Sequence, residues 1–365
     1  MNTIDALNIF YREDVISDLL KSCFEDSPAF LKQFLAAGDV ALNTHAGYTI
    51  MNRLGLGKAI GTPDMVIVNG DQIIVIENKL GTGEGILQTM RYESNEAKEG
   101  LLKKFRMEAA TFHYIFLTLD TTVMPSSSNF KHLYYSEFLA QDWLLQDSTL
   151  HMIFKDFQEK LHAFYAPLRT PFETLATDYA LDSTQKKICW QQLLFDQFSA
   201  HTPFTLDWGE VGGTGRNNFL FLITKSNWKA TAPFDKAGLS KTFYVHIDTY
   251  INLLSSSNDS LNEIGVRFET NPYVPHAKIK NDPQYAKFIE HKQLFAERLY
   301  ERVQEILPAS KKRNTKLLSL SIPIDKSSLE KSIDDYTQKV LMLEKIIDAV
   351  IESMKEDNIL FIEYS

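Results

Sequence analysis

Three ionisable residues stand where a buried sheet would exclude them. Residues 61–80 read GTPDMVIVNGDQIIVIENKL. Val66, Ile67 and Val68, then Ile73, Ile74, Val75 and Ile76, form the near-continuous apolar runs of buried strands. Asp64 opens the first run; Glu77 and Lys79 close the second. Unpaired charge in such a setting is strongly disfavoured. Two carboxylates brought together push one another toward the neutral form unless a cation lies between them. Carboxylates with open water positions suit Mg²⁺, which keeps part of its water shell and shares it with a phosphate. A lysine two residues beyond the second carboxylate can hold a metal-bound water or offset charge developing on a phosphate. These residue types at this spacing suit attack of water on a phosphodiester.

Convergence of the three depends on strand register. Asn69-Gly70 between apolar runs is a strong hairpin signal. With those two as the turn, Val68 faces Asp71, Val66 faces Ile73 and Asp64 faces Val75. Opposed residues share a sheet face and faces alternate along a strand. Asp64, Val75, Glu77 and Lys79 then point to one side, with Glu77 the diagonal neighbour of Asp64 at about 7–8 Å. Met65, Ile74, Ile76 and Asn78 point to the other.

The surrounding elements are expected to form a mixed α/β core with a sheet between helices. Helical spacing covers residues 4–35, and a strand is expected at 48–54. After the hairpin come a helical stretch at 84–108, strands at 112–119 and in HLYYS, and helices at 138–145 and 150–165. Pro167 and Pro171 mark a boundary, giving a first domain of residues 1–166. Residues 167–365 read as an α+β region, with a helix at 172–198 and strands at 219–224, 242–247 and 265–269. Two long helices, 283–306 and 327–356, close it. The last carries Val340, Leu343, Ile347 and Val350 at helical spacing, as a bundle or dimer helix would.

Pro63-Asp64 followed by Glu77-Asn78-Lys79 resembles the motif of the PD-(D/E)XK nuclease superfamily. The next helix contains Gln88-Thr89-Met90-Arg91-Tyr92, similar to the Q-x-x-x-Y extension of a subset of these enzymes. Gln88 and Tyr92, four apart, share a helix face, with Glu84 a turn earlier. Residues 8–20, NIFYREDVISDLL, resemble a bacterial group in which a helical Glu, followed four residues later by Ser, precedes the core. Glu13 and Ser17 fill those places. The resemblance covers about the first 165 residues. It implies a restriction-endonuclease-like core, with Asp64 and Glu77 binding metal and Glu13 supplementing them. Lys79 would act on the nucleophilic water, Gln88 would lie near the substrate phosphate or water, and Tyr92 would pack or position. Arg53 and Lys58, in the turn before the hairpin, are further candidates for phosphate contact.

The expected activity is Mg²⁺-dependent hydrolysis of nucleic acid, DNA in preference to RNA, with Mn²⁺ able to substitute. A role in bacterial defence against foreign DNA follows from the resemblance alone. The second region would select substrate, form a homodimer, or gate activity through an activating partner protein. The alternative is a non-catalytic protein that keeps the fold and binds nucleic acid or another ligand. The chain of 365 residues has 44% hydrophobic and 23% charged residues and a formal net charge of −9, which disfavours diffuse nucleic-acid binding but not a local cationic surface. No apolar run approaches the roughly 18 residues of a membrane span. The start lacks the pattern of a signal peptide. The two cysteines, Cys23 and Cys189, are too few for a disulfide framework or zinc site, so a cytoplasmic setting is expected. Gly55-Leu56-Gly57-Lys58 is read as a turn, since it lacks phosphate-loop spacing. The Gly209–Gly215 stretch is read as a loop, and Lys311, Lys312, Arg313 and Lys316 as a solvated basic linker.

Overall fold

The computed structural model describes residues 2–139, 145–177, 180–201, 203–210, 218–231, 242–271, 273–307, 311–312 and 320–359. The chain divides into two compact units, Met1–Arg169 and Thr170–Ser365.

The first unit contains α1 (Thr3–Ala6), α2 (Glu13–Asp26), α3 (Pro28–Ala37), β1 (Tyr48–Asn52), β2 (Met65–Asn69), β3 (Gln72–Lys79), α4 (Gln88–Tyr92), α5 (Asn95–Phe105), β4 (Thr111–Thr118), β5 (Lys131–Tyr134) and α6 (Ser148–Tyr165). The expected helical stretch 4–35 is interrupted at residues 7–12, between α1 and α2, and again by Ser27-Pro28. Pro28 cannot continue a helix but suits the first position of a new one, and the Ser27 side chain caps α3 by accepting from Phe30 N. Ser94 likewise splits the stretch 84–108, capping α5 at Ala97 N. Instead of a helix at 138–145, a 3₁₀ turn spans Tyr135–Leu139; residues 140–144 lie outside those described.

The five strands form one sheet in chain order. β1, β2 and β3 are antiparallel, while β3, β4 and β5 are parallel. The crossover from β3 to β4 carries α4 and α5, as a parallel connection requires. On that face Val66, Ile73, Val75, Tyr92, Leu101 and Phe116 share a core. On the opposite face Asn78 reaches α2. There the helical layer is locked by the rings of Phe24, Phe30, Phe34, Phe154 and Phe157.

The hairpin register differs from the expected one by two residues. Val68 pairs with Ile73, Val66 with Val75, and Asn69 with Gln72. The turn residues are therefore Gly70 and Asp71. Asn69 is drawn into the strand by its side chain, which is buried. Its Oδ1 accepts from Asn43 N at 2.7 Å, and its Nδ2 donates to the carbonyls of Asn43, Ala46 and Gly47 at 3.1–3.3 Å. Gly70, at φ 62°, takes the first central position, where a II′ turn wants glycine. Continuing the register past Met65↔Ile76 puts Asp64 opposite Glu77 rather than Val75. An even shift leaves every side chain on its face, so Asp64, Glu77 and Lys79 still share one side and lie closer than the diagonal placement predicted.

The second unit comprises α7 (Pro171–Ala176), α8 (Ser183–Phe198), β6 (Phe204–Glu210), β7 (Asn218–Lys225), β8 (Lys229–Thr231), β9 (Thr242–Asn252), α9 (Ser257–Ser260), β10 (Leu261–Asn271), α10 (His276–Ile279), α11 (Tyr285–Ile306), β11 (Lys311–Lys312), β12 (Leu320–Pro323) and α12 (Leu329–Glu356). Its sheet runs β11-β12-β10-β9-β7-β6, with β8 also on β9. The stretch 172–198 is two helices; Asp182 and Gln185 form a capping box that starts the second. Phe198 and Tyr336 meet Phe221 and Thr249 of the sheet, and Phe288 and Phe295 meet Phe243 and Phe268. The stripe Val340, Leu343, Ile347 and Val350 is fully buried within this unit, so it serves an internal core. Residues 211–217, Arg313 and Lys316 lie outside those described, and of the basic stretch only the backbone of Lys311–Lys312 is placed, as β11. Among the described residues no helix is long and apolar enough to cross a membrane.

Candidate active site

The end of β3 carries the site. Glu77 is 1% exposed and Lys79 7%, and their side chains meet at 2.6 Å, Lys79 Nζ to Glu77 Oε1. Glu13, the first residue of α2, stands on the other side of the ammonium, with Oε2 at 3.6 Å. Its Oε1 accepts from Leu80 N at 3.2 Å and from Thr82 Oγ1 at 2.7 Å. Glu13 thus ties the start of α2 to the exit of β3.

Asp64 accepts at Oδ2 from Asn78 N at 2.8 Å, and its own carbonyl accepts from Arg53 N at 3.0 Å. Gln88, first in α4, donates from Nε2 to Glu77 Oε1 at 2.6 Å and to the Tyr92 hydroxyl at 2.8 Å. The i, i+4 spacing of Gln88 and Tyr92 accounts for that pair. Glu84 does not belong to the helix face. From the preceding loop it accepts from Thr89 N and Oγ1 and from Ser126 N and Oγ, at 2.5–2.8 Å. Glu13, Asp64, Glu77, Lys79, Gln88 and Tyr92 are therefore gathered as one hydrogen-bonded constellation or its immediate supports.

Arg53 and Lys58 are not part of it. The Arg53 guanidinium is held by both oxygens of Asp18 at 2.9 Å and by Asp14 O at 3.1 Å, so its contribution to the site is the backbone bond to Asp64. Lys58 is exposed in the turn.

Sequence reasoning passed over Asn78 as a structural hub. Pointing to the opposite face, its Nδ2 donates to Ser17 Oγ at 3.0 Å, and its Oδ1 accepts from the buried Tyr135 hydroxyl at 2.8 Å. Ser17, flagged only through a resemblance, is there to hold Asn78. An amide between a strand's two charged residues, with a serine four residues beyond Glu13, was the available signal. Replacing Asn78 with alanine leaves Tyr135 without its partner and frees the segment that carries Asp64's hydrogen-bond donor. A loss of about 1–3 kcal/mol in urea unfolding is expected. Asn78→Asp, which keeps the acceptor for Tyr135, should retain part of it.

Burial and the nearby ammonium act against each other on Asp64 and Glu77. Burial, reinforced by Asp64, raises Glu77 to about 8 despite Lys79. Burial likewise raises Asp64 to about 6 against the pull of the Asn78 N–H and Lys79. Burial alone would lower the Lys79 ammonium, but Glu77 and Glu13 outweigh it and hold the group charged, above its ordinary value. Burial and the charge of Glu77 push the Tyr92 hydroxyl up to about 12, which keeps it neutral.

Among the described residues no three His, Cys, Asp or Glu side chains are grouped so as to hold a metal ion. Glu13 does not complete a ligand triad with Asp64 and Glu77, because Lys79 stands between it and Glu77 and its Oε1 already accepts from Leu80 and Thr82. The carboxylate pair Asp64 and Glu77 does fit a divalent cation. Glu77 Oε2 is buried with no hydrogen-bond partner, an arrangement native interiors avoid unless a group is reserved for something. Both carboxyls are raised chiefly by burial. Mg²⁺ is commonly held by one or two carboxylates and keeps its waters.

Comparison with known proteins gives no match: no protein-family model, curated protein or solved structure matches this chain.

Proposed function

We propose that the first unit is a metal-dependent nuclease of the PD-(D/E)XK kind, with a restriction-endonuclease-like core, acting on DNA in preference to RNA. The observation that carries this reading is the partnerless, buried Glu77 Oε2 opposite Asp64 and beside the Lys79 ammonium. Asp64 and Glu77 would hold Mg²⁺, which supplies Lewis acidity and an acidified water. Glu77 and Glu13 keep Lys79 protonated, so its ammonium offsets negative charge on the phosphate undergoing attack. Gln88 fixes Glu77 and Tyr92 relative to α4, and Glu13 binds the α2 start to the strand end. The second unit, with its own sheet and core, would select substrate or regulate.

The test is direct. The purified full chain is incubated with plasmid, linear and single-stranded DNA and with RNA, in Mg²⁺, in Mn²⁺ and in chelator. Cleavage in either metal, absent in chelator and strongest on DNA, is the expected result. Metal-independent binding without cleavage of any substrate would overturn it in favour of a binding protein on this fold.

A further inference from the structure

Beside the site the chain exposes large apolar side chains. Ile86 is 87% exposed, Leu87 54%, Met90 46% and Met124 61%. Ile86 and Leu87 immediately precede Gln88, whose amide touches Glu77. Met124 lies two residues before Ser126, which Glu84 binds to the same backbone.

These residues are held outward by a fixed support. Leu87 sits at φ 48° and ψ 36°, a left-handed conformation rare for a bulky side chain. Gln88 and Gly85 exchange hydrogen bonds at 3.0 and 3.1 Å. Glu84 fastens the segment to Thr89 and Ser126, and Thr89 Oγ1 accepts from Ser127 N at 2.9 Å. One cation flanks the patch: Arg91 is exposed, its guanidinium close to Gly61.

We propose that Ile86 and Leu87, with Met90 and Met124 beside them, form a wedge that enters a base step of duplex DNA as the adjoining phosphodiester reaches Asp64 and Glu77. The inference rests on the nuclease reading and names its substrate as a duplex that is deformed on binding. Gln88, next in the chain to Leu87, bonds Glu77, so a nucleic acid whose phosphodiester reached Glu77 would bring its bases toward Ile86 and Leu87. Apolar side chains of these types part base steps in proteins that kink DNA, and Arg91 supplies attraction for the phosphates. An exposed apolar tip on a hydrogen-bonded segment is suited to that work.

The test uses the full chain carrying Lys79→Ala, to limit cleavage, and duplexes with 2-aminopurine scanned along their length. A several-fold fluorescence rise at one or two adjacent positions is expected. Adding Ile86→Ser with Leu87→Asn, the latter tolerating the left-handed backbone, should remove most of that rise. With Lys79 intact, the same pair should slow cleavage of paired duplex about 10-fold, with the deficit shrinking on a duplex mismatched at that step. If the first pair fails to fold, Met90→Ser with Met124→Ser is read in its place, with a partial loss expected. An undiminished rise, or no rise with any duplex, overturns the wedge. So does a concentration-dependent dimer, seen by sedimentation, that the substitutions abolish, since the patch would then join copies of this chain. Cleavage by the unsubstituted protein separates the two readings. Cleavage without a wedge effect sinks only the wedge, whereas a wedge effect without cleavage sinks only the nuclease.

Discussion

Lys79→Ala is expected to slow metal-dependent cleavage by roughly 100- to 10,000-fold, the span over which single charge-stabilising or proton-handling groups act. The ammonium lies 2.6 Å from Glu77 and 3.6 Å from Glu13, and among the described residues it is the cation paired with both. On the nuclease reading, removing it would leave the phosphate's developing charge unopposed by this ammonium. It also leaves the buried Glu77 without its countercharge, which costs about 3–5 kcal/mol where the group cannot simply take up a proton. Here Glu77 and Asp64 can, so the loss should be greatest at high pH without divalent cation. Rates are therefore compared at saturating Mg²⁺ and a temperature where both proteins are shown to be folded. Lys79→Arg should recover stability better than rate, because a planar guanidinium cannot take the place of a compact ammonium between two carboxylates. A rate within a few-fold of wild type in Lys79→Ala would remove Lys79 from the chemistry.

Glu77→Gln should abolish detectable cleavage while stabilising the metal-free protein. The folded pKa is raised from 4.5 to about 8, so between those values the folded state keeps a proton that the unfolded chain releases. Stability from this group is complete below about pH 4.5 and is lost as pH rises to about 8. Asp64, raised from 3.8 to about 6, acts in the same direction over a lower window. Glutamine resembles the protonated acid and has no such loss. The stability gap between Glu77→Gln and wild type should be small near pH 4.5 and widen to a few kcal/mol by pH 8, a scale set by the size of the shift. Urea unfolding in chelator across that range reads it. Adding Mg²⁺ at pH 8 should close the gap by stabilising wild type more than the variant. A gap that stays flat with pH would mean that Glu77 is not held above its ordinary range.

The candidate site was legible in the sequence to the extent that it depends on side-chain parity. Charged residues at the ends of apolar runs are conspicuous because burial makes them expensive, and alternation puts Asp64, Glu77 and Lys79 on one face in either register. Gln88 and Tyr92 were placed on one face by helical spacing, and they are bonded to each other. The turn was misread because Asn69-Gly70 is the stronger local signal, while Asn69 is occupied by three carbonyls and an amide from residues 43–47. No local rule weighs a partner 22 or more positions away. The ion pair of Arg53 was not foreseen for the same reason, since Asp18 is distant in sequence and claims the guanidinium. Breaks at Ser27-Pro28 and Ser94 were visible as residue types, but periodicity ran across them.

By itself the sequence determined which residues could do chemistry, which face of the hairpin they occupy, and that a mixed α/β unit carries them. Those follow from burial cost and from fixed helix and strand periods, which are local. The tertiary structure alone decided that Asp64 stands opposite Glu77, that Lys79 lies between Glu77 and Glu13, and that Asn78 is braced by Ser17 and Tyr135. It also decided that Ile86 and Leu87 are left in solvent while the stripe of α12 is buried. These depend on which distant groups compete for the same donors, cations and apolar surface, and that competition exists only once the chain is folded.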